Sequence, residues 1–423
     1  MAATLVASLP IGMGTLALVV FIERETGSYA AAGFVAAALA LGAASVTPAL
    51  GRTIDRAGQA VVLLPCGVVS PLAMLAIALV GAGAPLAVLV AIAFVAGGSS
   101  PPVLTCLRSM WPVLLRHDAG LIRTGLTIDA LLLEAAFVGG PLVAAALIAT
   151  VSPQSALVVA AAGTLAGTLA FVAVSPARST RGPVRHDRGL LGPLRSRGLQ
   201  TMLFATFPIG LLFGGFDVIA PAIGEEVSGR QSVGGVLIAL TALGSGLGGV
   251  WWAMRSSGAP ARGYVRAAWL MPLGLAILAL PDGLAAMIVL SLLLGAPFAP
   301  FSAAGGELVH RLAPAGMGTE SFTWITTALV GGVAAGQALA GPLVEHAGWR
   351  SAALVCAAVG VTGAALLLAR RASLVAPPRT GHQKSMTPKK SRSTTVTASE
   401  SSSDPPQPRR LEKKRNTRRR YPR

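Results

Sequence analysis

Four carboxylates fall within stretches otherwise apolar enough to sit in lipid: Asp129, Glu134, Asp217 and Glu320. An ionisable side chain in hydrocarbon is costly and normally faces a cavity or a partner. A carboxylic acid taken out of water favours its neutral form, so it can hold a proton at neutral pH and release it where water enters. That is the physical requirement for coupling a proton to some other movement. Glu134 is the leading candidate, because it lies close to mid-depth in its stretch. Asp129 precedes it by five residues, which on a helix of about 3.6 residues per turn places the two on different faces. Asp129 is expected near the mouth of the stretch and Asp217 toward the outer end of its own. Glu320 is expected to cap a helix start, where a carboxylate meets the positive end of the dipole. The rival reading for Glu134 is a neutral group bonding a neighbouring helix. Trp324 could face a cavity and stack on a bound molecule, or simply pack.

Other chemistries lack their residues. Cys66, Cys106 and Cys356 lie in or at the ends of apolar stretches and read as small packing residues. No Cys/His spacing suits zinc, so no metal and no cofactor is expected. No G-x-x-x-x-G-K-[ST] phosphate loop occurs, which disfavours an ATP-driven pump, and no enzyme activity is expected.

The elements that must position the acids follow from composition. The 423 residues are 53% hydrophobic and only 12% charged, with mean hydropathy +0.68. A soluble domain carries about 25% charged residues. A window of about 20 residues, the length that crosses the hydrocarbon core, gives twelve spans: 4–22, 29–50, 61–81, 86–107, 125–148, 154–175, 200–222, 232–253, 265–281, 284–303, 320–343 and 351–370. Pro297 and Pro300 interrupt the tenth.

The pattern is written twice. Pro10-Ile11-Gly12 recurs 198 residues later as Pro208-Ile209-Gly210, and Gly33–Gly42 recurs 202 residues later as Gly235–Gly244. Pro102 answers to Pro300, and Gly139-Gly140 to Gly331-Gly332. Two parallel six-helix bundles in one membrane are the plan of many secondary transporters. The expected fold class is an all-α integral membrane protein of two pseudo-symmetric six-helix bundles, 1–175 and 199–371. A basic loop, 176–198, joins them, and a disordered polybasic tail, 372–423, follows.

With the N-terminus inside, fifteen arginines fall in cytoplasmic loops and three (Arg24, Arg230, Arg350) outside. The positive-inside rule therefore puts both termini in the cytoplasm of a multi-pass protein of the inner (plasma) membrane. The tail holds all five lysines and nine arginines against three acids. Such a segment is drawn to anionic lipid, and without interleaved aromatics or a fold it does not read as a nucleic-acid binder.

The most specific short motif lies between the second and third spans: Gly51-Arg-Thr-Ile-Asp55-Arg56-Ala-Gly58. Gly51 can end a helix, Gly58 can turn the chain, and Asp55 beside Arg56 can form a charged latch. It resembles the G-x-x-x-D-R-x-G loop of the major facilitator superfamily, which occupies the same place. The resemblance covers about residues 1–371, although Gln59-Ala60 stands where that loop usually has a basic pair. It implies that Asp55 and Arg56 lock the cytoplasmic side in one transport state. Gly139, Gly140 and Pro141 in the fifth span resemble the Gly-Pro element of the superfamily's antiporters, where helix 5 packs on helix 11. The function so implied is proton-coupled export of a small molecule by rocker-switch alternating access, in a monomer whose partners are substrate, protons and lipid. Nutrient uptake by the same fold is the alternative, and a non-transporting receptor or scaffold a further one.

Overall fold

A computed structural model describes residues 2–114, 119–174, 196–255, 260–314 and 317–374. Among these residues the chain is helical, with no strand. The first half holds α1 (Ala2–Thr26), α2 (Tyr29–Ala57), α3 (Gln59–Val80), α4 (Leu86–Gly98), α5 (Val103–Leu114), α6 (Ala119–Thr150) and α7 (Pro153–Val174). The second holds α8 (Arg197–Ser228), α9 (Ser232–Arg255), α10 (Pro260–Leu278), α11 (Leu284–Gly295), α12 (Phe298–Leu312) and α13 (Gly318–Ala369).

Local chemistry explains where these helices stop. Ser28 caps α2 by accepting from the Ala31 N–H at 3.1 Å. Gly58 takes φ 98° between α2 and α3, a conformation that favours glycine, and its N–H bonds the Ile54 carbonyl at 2.9 Å. Pro101-Pro102 and Pro297 supply no backbone N–H, and the chain breaks there, between α4 and α5 and between α11 and α12. The span at 86–107 is therefore two helices rather than one. The two breaks occupy corresponding places in the two halves.

Among the described residues, ten helical stretches are long and apolar enough to cross a membrane. Three of them contain two helices: Leu86–Arg108 and Leu284–Leu312 run across the proline breaks, and Gly348 (φ 77°) divides α13. The helix α10, with Pro260, Arg262 and Arg266 in its first two turns, is not among the ten. Many large apolar side chains point outward: Leu79 and Met254 are each 81% exposed. Water would not tolerate so many, and lipid does.

The two halves pack into one compact unit through a shared core that includes Leu16, Ile22, Val35, Phe216 and Trp349. Tyr264 stacks on Phe301 with ring centres 4.3 Å apart and bonds Thr206 at 2.9 Å. Ser373, in the short turn after α13, donates to Thr201 of α8 at 3.0 Å, so residues 372–374, expected to open the tail, belong to the folded part. Of the basic loop, residues 176–195 lie outside the described residues, as does the tail from residue 375.

Candidate functional site: a central cavity between two halves

A cavity of about 680 Å³ lies between the halves, lined from both. From the first half come Pro10 and Gly14 of α1, Leu39 and Ala43 of α2, and Glu134 with Phe137 of α6. From the second come Phe213, Phe216 and Asp217 of α8, Thr241 and Ser245 of α9, and Gln337 of α13. The lining is largely apolar, and several of its hydroxyls are spent on backbone. Ser70 donates to the Ala96 carbonyl at 2.9 Å and Thr241 to Leu237 at 2.9 Å, while Thr164 bonds Ala160 at 2.9 Å. Gln337, nearly fully buried, donates from Nε2 to Asp217 Oδ2 at 3.2 Å, and its Oε1 has no partner among the described residues. Glu134 reaches toward α9, where a Cβ placed on Gly246 would stand 3.5 Å from its Oε2.

The end of the molecule that carries the α1–α2 turn is closed. Arg24 Nε donates to Gln231 Oε1 at 2.9 Å, and the Gln231 amide donates in turn to Glu23 and to Tyr29. Ser28 Oγ and the Ala30 N–H both donate to Glu345 Oε2, at 2.6 and 2.9 Å. These hydrogen bonds join the two halves at this end. Backbone follows: a Cβ on Gly33 would collide with the Gln337 carbonyl, and one on Gly235 would come within 2.8 Å of the Pro141 carbonyl. These are α2 against α13 and α6 against α9, the same pairing read in each direction of the repeat.

Within each half the repeat marks a second contact. A Cβ on Gly140 would sit 2.7 Å from the Leu9 carbonyl and 2.8 Å from the Met13 N. Gly332 meets Phe207 and Leu211 in the same way. The Gly-Pro segment of α6 thus packs on α1, and its counterpart in α13 packs on α8. This corrects the expectation that helix 5 rests on helix 11 through these glycines: each meets the first helix of its own half.

No protein-family model and no curated protein sequence matches the chain. Solved structures do. The nucleoside transporter NupG superposes with TM-score 0.72 at 12% identity, covering 87% of this chain and 97% of that one. A POT family transporter in complex with a thioalcohol-conjugated peptide gives TM-score 0.69 at 12% identity, over 88% and 96%. The chain has the major facilitator superfamily fold. A bacterial homologue of the lysosomal transporter Spinster, described as inward-facing and unoccupied, matches this superfamily fold with TM-score 0.66 at 14% identity, over 88% and 96%.

In that fold the sequence-derived candidates separate. Glu134 and Asp217 both line the cavity, one from each half. Asp129 does not: it is fully buried beneath α5, accepts from Trp111 Nε1 at 2.9 Å and pairs with Arg108 at 3.6 Å. A mouth position was expected for Asp129. Instead its pairing with Arg108 and its bond from Trp111 lock α5, the segment after the proline break, onto α6. Trp324 is not among the cavity residues. Glu320 sits in the first turn of α13, as a capping role requires, with Oε2 buried and unpartnered among the described residues. Gly51 and Arg56 lie in the last turns of α2 and Gly58 ends it; the Asp55 side chain lies outside the described residues. Sequence reasoning missed Gln337, Gln231 and Glu345. A polar amide inside an apolar span was the available signal for Gln337.

Proposed function

We propose that this protein is a secondary active transporter that exports a small molecule by alternating access, with proton coupling through Glu134. One observation carries the reading: a cavity shared by two repeated halves, with an acid at its wall, is sealed at one end by polar bonds between those halves. Such a seal can break and re-form at the opposite end as the halves rock, exposing the same wall to each side in turn. With both termini cytoplasmic, the sealed end is the outer one and the conformation faces inward. Asp55 and Arg56 then lie on the cytoplasmic side, where they would latch the outward-facing state. The Gly140-Pro141 element supports export, since its resemblance is to antiporters. Glu134 supports coupling, since it is ionisable, faces the cavity and stands beside the α6–α9 contact that rocking must remake.

The test is accumulation of a substrate panel in inverted membrane vesicles with and without an imposed proton gradient. Gradient-dependent uptake into inverted vesicles, which corresponds to export from the cell, supports the reading. Equal movement with and without the gradient removes proton coupling, and accumulation only in right-side-out vesicles reverses the direction.

A further inference from the structure

We infer that the substrate is an amphiphilic organic cation, a protonated amine carried on an aromatic or alicyclic body, held by Asp217 and Gln337. This rests on the cavity being the substrate site. The observation is an imbalance in what the wall offers. Among the described residues that line the cavity there is no Lys, Arg or His, while two carboxylates, Glu134 and Asp217, face it. In a setting of low dielectric, a cation placed beside such an acid stabilises its ionised form and is held by it, whereas an anion is repelled by that form and finds no positive group to pair with.

The hydrogen-bonding capacity points the same way. Gln337 donates one N–H to Asp217, and its carbonyl oxygen is buried without a donor among the described residues. Asp217 receives that one bond at Oδ2, so its Oδ1 is also open to a donor. Two acceptors with spare capacity thus stand on α8 and α13, in side chains that the Gln337–Asp217 bond holds together. An ammonium carries donors, no acceptor and the matching charge. A substrate carboxylate or phosphate would leave the Gln337 oxygen unpaired and add repulsion.

The rest of the wall suits the body of such a molecule. Phe137, Phe213, Phe216 and Phe298 line the cavity, and Phe213 meets Phe298 edge to face at 4.8 Å. Aromatic faces attract cations and stack on flat apolar groups. A volume of about 680 Å³ accommodates a drug-sized molecule.

The experiment uses three fluorescent probes with one body: 1-pyrenemethylamine, 1-pyrenemethanol and 1-pyrenecarboxylate. Binding to the purified full chain in a neutral detergent is measured by equilibrium dialysis against protein-free micelles. The ammonium should bind about tenfold or more tighter than the alcohol, and the carboxylate weakest of the three. Asp217→Asn and Gln337→Leu should each remove most of the ammonium's advantage over the alcohol. A carboxylate that binds as tightly as the ammonium overturns the inference, as does an ammonium preference unchanged in both variants. The charge order is read on the unaltered protein, so a variant that fails to fold does not spare the proposal. Gradient-driven transport of an anion would sink the inference and leave the transporter reading standing. Cation binding by a protein that accumulates nothing would do the reverse.

Discussion

Gly140 of α6 faces Gly12 of α1 so closely that a Cβ added to it would lie 2.9 Å from the Gly12 Cα. Its other neighbours, Leu9 and Met13, stand 198 residues before Phe207 and Leu211, the neighbours of Gly332. That is the offset at which Pro10-Ile11-Gly12 recurs. The internal repeat is thus a repeat of one contact, made once in each half. Without a hydrophobic effect between helices in lipid, such backbone approach is what holds a bundle together. Gly332→Val should cost about 1–3 kcal/mol by overpacking and lower the melting temperature of the purified protein. Gly283→Ala, with open space around it, should change little. Equal stability of the two variants would contradict the packing account.

The closed end offers a direct trap. Ser28 and Glu345 are joined at 2.6 Å between Oγ and Oε2. Cysteines at both positions, Ser28→Cys with Glu345→Cys, should be joined by a short bis-methanethiosulfonate reagent, which spans the length the glutamate side chain gave up, and the joined protein should not transport. A reductant should restore transport. Full transport by the cross-linked protein would show that this end never opens.

The twofold plan and its apolar spans were legible in the sequence because period and composition report directly on a lipid-facing helix. The tenth span's interruption was legible too, since Pro297 cannot donate to the helix behind it. The parallel break before Val103 was not, because Pro101-Pro102 lay at the end of a stretch that was otherwise continuous. Asp129 was misplaced for a different reason. Its partners, Arg108 and Trp111, sit on another helix, and helical periodicity says nothing about which neighbour arrives. Counting only ionisable residues hid Gln337, whose importance comes from Asp217 standing beside it.

Orientation can be checked with reporter fusions at Arg188, Arg230 and the C-terminus. They should read inside, outside and inside. An outside reading at Arg188 would overturn the topology and, with it, the assignment of the sealed end as the outer one.

The loop between α2 and α3 has its own test. Asp55→Asn should leave expression and melting temperature close to those of the parent while transport falls, because a latch biases one of two states rather than holding the bundle. Unchanged transport in a normally expressed variant would reduce the loop to an ordinary turn.

The most direct test of the central claim is accumulation by Glu134→Gln in vesicles carrying a proton gradient. Glutamine keeps the shape and the hydrogen-bonding capacity of the side chain but has no proton to release at this site. The account expects gradient-driven accumulation to be lost while gradient-independent exchange of the same substrate continues. A Glu134→Gln protein that still concentrates substrate against its gradient would contradict it, and would move the coupling role to Asp217.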